Sequence, residues 1–106
     1  MTLSLRQKQS KFAHMVALLI LHAEQLGYEV TLGDAWAETG HKTNSFHYSR
    51  LAIDLNLFKD GKYLTSTMSH QPLGLYWKSL DPHCSWGGDW NDGNHYSYGE
   101  SIDEKS

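Results

Sequence analysis

From Leu51 to Phe58 the chain alternates without a break, with Leu51, Ile53, Leu55 and Leu57 on one face and Ala52, Asp54, Asn56 and Phe58 on the other. A period of two is the signature of a strand with one buried face, and it sets Asp54 on the side away from the aliphatic row. Asp60-Gly61 follows at once, ahead of Tyr63. Asp-Gly suits a tight hairpin turn, which predicts that residues 62–65 return as a partner strand. A half-buried strand cannot stand alone, so the rest of the chain must supply the layer that covers it.

Two helical patterns do so. Ser4 with Gln7 three residues on reads as a capping box, and Phe12, Met15, Val16, Leu19, Ala23 and Leu26 recur at helical spacing up to Gly27. That is a long amphipathic helix with a glycine stop. Pro72, Leu73, Tyr76, Trp77 and Leu80 fit a second, shorter helix with proline in its first turn. Tyr28, Val30 and Leu32 alternate with Glu29, Thr31 and Gly33 as a further half-buried strand, and 95–98 reads as a last short one. Residues 34–44 are polar except for Trp36 and read as a loop, and 86–90 is glycine-broken. The expected fold is α+β, a small antiparallel sheet with a long N-terminal helix and a shorter second helix. The expected domain spans 1–98, followed by a frayed acidic tail over 99–106.

With 106 residues, everything the chain does must fit on one small domain. Its net charge of -3 offers no basic field for a phosphate backbone, which argues against nucleic acid as a partner. Arg6, Lys8 and Lys11 read as the solvated face of the first helix. The single cysteine, Cys84, excludes an intramolecular disulfide and points to a reducing cytosol, with Cys84 itself a small buried hydrophobe. The first residues turn polar before any apolar run develops, and Val16 to Leu21 is too short to span a bilayer. The expectation is a protein with no signal peptide and no membrane insertion. Nothing in the sequence demands more than a monomer.

Chemistry concentrates in two segments: Ser45-Phe46-His47 running through Ala52 to Asp54, and Asp92-Gly93-Asn94-His95. They hold two imidazoles, a carboxylate ligand and a spare carboxylate, the parts of a hydrolytic zinc site. Zinc holds such donors at roughly 2.0–2.2 Å, whereas seven residues of continuous strand would span about 23 Å. The chain must therefore bend between His47 and Asp54, and Tyr48-Ser49-Arg50 is the expected place. The small side chain of Ala52 then leaves space beside the Asp54 carboxylate. His95 completes a set of three ligands, leaving a fourth position open for water, and Asp92 becomes the general base that serves it. Ser45 can donate a hydrogen bond near the site or simply cap the turn. Trp86 and Trp90 flank the glycines before Asp92 and are positioned to wall a substrate cleft. His14 and His22 read as surface residues of the first helix, and His41, His70 and His83 as loop or helix-start residues.

These residues resemble the zinc peptidases of the D-alanyl-D-alanine carboxypeptidase family, in particular small phage endolysins acting as L-alanyl-D-glutamate endopeptidases. The shared signature is Ser-x-His, then Ala-x-Asp, then an acidic residue three before a second His, here Ser45, His47, Ala52, Asp54, Asp92 and His95. The stretches Arg50 to Phe58 and Trp86-Gly87-Gly88 are similar to phage members as well. The resemblance implies a zinc ion on His47, Asp54 and His95 with Asp92 as base, acting on the peptidoglycan stem peptide. It also implies the compact α+β fold shared with hedgehog signalling domains, and an enzyme held in the host cytoplasm before its release to the cell wall. Two departures stand out. Arg50 replaces a glycine common in the family, either as a different turn or as a substrate-facing cation. An arginine common after the first strand is replaced by Asp34-Ala35-Trp36-Ala37, with Lys42 or Arg50 as possible substitutes.

Three readings follow. A zinc peptidase, as endopeptidase or carboxypeptidase, gives every residue a task. Two His and one carboxylate also describe an iron(II) facial triad, but that reading leaves Asp92 idle. A non-catalytic cell-wall-binding module that keeps zinc for stability would need no base.

Overall fold

The computed structural model describes residues 3–34 and 50–99. The first helix, α1, runs from Leu5 to Gln25. Its capping box forms as expected: the Gln7 N–H donates to Ser4 Oγ at 3.2 Å and the Ser4 N–H to Gln7 Oε1 at 2.8 Å. Phe12, Met15, Leu19 and Ala23 are its buried stripe, the three- and four-residue steps of a face turned to a core. Gly27, with φ of 92°, ends it. Leu26, expected on the buried stripe, is exposed because it is the cap residue where the chain leaves the helix.

Strand β1 (Glu29–Leu32) leads into the central strand β2 (Ala52–Lys59), which turns into β3 (Lys62–Leu64). Asp60 and Gly61 both take positive φ, 54° and 77°, the conformation a tight turn between right-twisted strands requires. A short 3-10 turn over Thr67–His70 passes into α2 (Gln71–Leu80), which has Pro72 in its first turn. Strands β4 (Cys84–Trp86) and β5 (His95–Tyr98) complete the sheet, joined through a 3-10 turn over Gly87–Trp90. All pairings are antiparallel, in the order β1-β2-β5-β4, with β3 also on β2.

The architecture is thus α+β, with a long N-terminal helix and a shorter second one. The aliphatic face of β2 meets both helices: Leu19, Leu55, Leu57, Leu73, Trp77 and Tyr96 are fully buried together. Phe12 of α1 and Trp77 of α2 meet edge to face at 5.7 Å, and the Trp77 indole N–H donates to the Ser97 carbonyl at 3.0 Å. Each such buried leucine contributes ~1.5–3 kcal/mol, which is what holds three short strands to the central one. Leu32 departs from the alternation expected of β1. It is 62% exposed because β1 lies at the sheet edge, where no further strand among the described residues pairs with it.

Candidate active site

Asp54 sits where the sheet clamps β2 from both sides. On the β1 edge its N–H donates to the Asp34 carbonyl at 2.8 Å, and its own carbonyl accepts the Gly33 N–H at 2.7 Å. Toward β5 it stands directly opposite His95. Because its backbone groups are spent on the β1 side, Asp54–His95 is a non-hydrogen-bonded pair, the kind whose side chains approach most closely. The result is Asp54 Oδ1 at 3.4 Å from His95 Nδ1, with His95 almost fully buried and Asp54 23% exposed.

That separation is longer than the ~2.7–2.9 Å of a charge-assisted hydrogen bond. It equals the edge of a tetrahedron about a zinc ion, which for bonds of roughly 2.0–2.2 Å comes to about 3.4 Å. The nitrogen and oxygen donors also suit such an ion, so this pair fits it as two of its ligands. Among the described residues no three His, Cys, Asp or Glu side chains are grouped to hold a metal. The third ligand expected from the sequence, His47, and the neighbouring Ser45 lie outside the described residues.

The loop that carries Asp92 and His95 is folded by close backbone approach. The Asp92 N–H donates to the Gly87 carbonyl at 2.7 Å, and the His95 N–H to the Asp92 carbonyl at 3.1 Å. A Cβ at Gly87 would collide with the Asp92 carbonyl and lie 2.7 Å from the His95 Cβ, so only glycine permits this closure. Asn91 takes the left-handed conformation, φ 64°, at the turn. Asp92 faces a cavity of about 210 Å³, lined also by Thr65, Ser66, Thr67, His70 and Asn94.

The two tryptophans differ. Trp90 packs edge-on against the His95 ring, centroids 5.8 Å apart. Trp86 is buried at 5% exposure, donates its indole N–H to the Gly93 carbonyl at 2.7 Å, and is packed so tightly that a Cβ at Gly74 or Gly88 would strike its ring. Its place is inside the loop, which it shapes, and it presents no face to a cleft. Arg50 has φ of 58°, so an arginine holds a backbone conformation that favours glycine; Tyr48 and Ser49, the rest of the expected bend, lie outside the described residues. Arg50 lines an open groove with Arg6, Phe12, Ala13, Val16 and Ile53 of the helix side. Adjacent residues of a strand face opposite ways, so this is the side away from Asp54. Arg50 thus lines the groove on the Ile53 side of the sheet.

His70 was not singled out by its sequence position. It is 3% exposed, its Nδ1 lies 2.8 Å from the Tyr96 hydroxyl, and burial pulls its pKa down to about 4. Tyr96 is fully buried, and burial raises its phenol well above the usual range. No local signal marks His70; the clue is Tyr96, next to His95, whose buried hydroxyl requires a partner. Cys84 is buried as expected, with its thiol pushed up to about 12, which leaves it protonated and unsuited as a ligand.

A family model described as D-alanyl-D-alanine carboxypeptidase matches residues 39–98, more than half of the chain. The chain belongs to the D-alanyl-D-alanine carboxypeptidase family. This is a family of peptidases acting on peptidoglycan, and the matched span runs from before Ser45 past His95, leaving out α1. A search of curated proteins finds no match. No described helix is long and apolar enough to cross a membrane.

Proposed function

We propose that the chain is a zinc-dependent peptidase that cuts the peptidoglycan stem peptide, most directly as an L-alanyl-D-glutamate endopeptidase of a phage lysis system. The observation that carries this reading is the Asp54–His95 pair, two donors of zinc-ligand type held 3.4 Å apart by sheet register. Family membership supports the reaction class.

Asp54, His95 and His47 would hold the ion. Zinc in such a site supplies Lewis acidity toward the scissile carbonyl and brings the pKa of water down to about 7. Asp92 accepts the proton of the attacking water on its carboxylate and returns it to the nitrogen of the departing amine. Its loop, closed on Gly87, fixes that carboxylate relative to His95, three residues on. The burial of His95 and the Trp90 edge against its ring hold the imidazole in one orientation.

Digestion of purified peptidoglycan tests the reading. Release of new amino termini, abolished by chelation and restored by zinc, is the expected result. No release from zinc-loaded protein that still binds the wall would replace it with the binding-module reading.

A further inference from the structure

The cavity beside Asp92 is lined by a buried histidine, His70. Tyr96 is fully buried, so its O–H needs an acceptor, and among the described residues its hydrogen-bond partner is Nδ1 of His70 at 2.8 Å. With Nδ1 accepting, a neutral imidazole carries its proton on Nε2. Among the described residues, His70 lines the cavity together with the hydroxyl residues Ser66 and Thr67, the amides Asn91 and Asn94, and one charged group, Asp92. The volume, about 210 Å³, is below the ~300–1,000 Å³ of pockets that enclose whole ligands, so it suits one part of a longer substrate.

We propose that this cavity is a subsite for an uncharged amide of the peptide substrate, with the Nε2–H of His70 as the donor to its carbonyl oxygen. The proposal rests on the peptidase reading for the identity of the substrate. The walls offer both donors and acceptors, as an amide needs, and the Asp92 carboxylate repels a terminal carboxylate from the same place. Such a subsite favours cleavage inside a chain over removal of a terminal residue.

Two measurements on the full chain test it. Nitrogen-15 NMR of the His70 ring reads the tautomer directly: a protonated Nε2 is expected, and a protonated Nδ1 overturns the proposal. Titration with N-acetyl-L-alanine N-methylamide, and separately with N-acetyl-L-alanine, reads the preference from the shifts of Thr67, Asn91 and Asn94. The amide is expected to bind roughly three- to tenfold tighter, because the Asp92 carboxylate repels the charge of the acid. His70→Gln, which keeps a donor, should hold the affinity for the amide, and His70→Leu should lose roughly three- to tenfold of it, the net worth of one hydrogen bond. Equal affinity of both probes, or no shift at these residues, overturns the subsite even if the protein cleaves muropeptides. Selective amide binding without any muropeptide cleavage supports the subsite and counts against the peptidase reading alone.

Discussion

Asp54 and His95 face each other across β2 and β5 as a non-hydrogen-bonded pair, Oδ1 and Nδ1 3.4 Å apart. The spacing is set by sheet register. This placement predicts that Asp54→Asn, which keeps the shape and removes the charge, lowers zinc affinity by at least about 10–100-fold with little loss of stability. Zinc titration against a competing chelator, with thermal unfolding in parallel, checks both halves. Unchanged affinity would remove Asp54 from the ligand set.

Gly87→Ala is expected to destabilise the protein by about 1–3 kcal/mol, because the new methyl meets the Asp92 carbonyl and crowds the His95 Cβ. Denaturant unfolding measures the loss. The same variant should bind zinc more weakly, since any relief of the clash moves His95. A silent substitution would mean that the loop closes differently.

Arg50 holds φ of 58°, which costs an L-residue ~1–2 kcal/mol and a glycine almost nothing. Arg50→Gly should therefore raise the unfolding midpoint by a few degrees. As Arg50 lies on the helix side of the sheet, catalytic rate should change little. A fall in rate at constant stability would restore it to the substrate-binding set.

Burial lowers His70 to about 4 from an ordinary 6.5. Below 6.5 the unfolded chain takes up this proton while the folded one resists, so His70 contributes stability that is present above pH 6.5 and lost as pH falls toward 4. Up to about 3 kcal/mol is at stake over that window. The stability difference between the parent and His70→Gln, followed from pH 7 to 4, should shrink by this order. A pH-independent difference would show that His70 is not held neutral.

How far the sequence could be read follows from the range of each interaction. The strand period placed Asp54 opposite the aliphatic face, and the Asp60-Gly61 pair placed the turn, because both are set by neighbouring residues. The bend expected at Tyr48-Ser49-Arg50 rests on reach alone, since a straight strand would be too long, and all of it but Arg50 falls outside the described residues. Strand β4 was missed because three residues, Cys84 to Trp86, are too few to show a period. The burial of Trp86 was not legible because it depends on Gly74 and Gly88, one on α2 and one beyond the strand. His70 acquires its character from residues 63–67 and 91–96, which only the folded chain brings together. The expectations for Ser45, His47 and the loop to Asn44 beyond Asp34, and for the tail beyond Gly99, fall outside the described residues.

The central claim is hydrolysis of a stem peptide with Asp92 as the base, and mass spectrometry of muropeptides tests it most directly. Zinc-loaded protein should split the bond between L-alanine and D-glutamate. Asp92→Asn should keep its zinc and lose about 10²–10⁴-fold in rate, the usual contribution of a general base. Loss of a terminal D-alanine would make the enzyme a carboxypeptidase. Full activity in Asp92→Asn, or no cleavage at all by the zinc-loaded parent, would contradict the account.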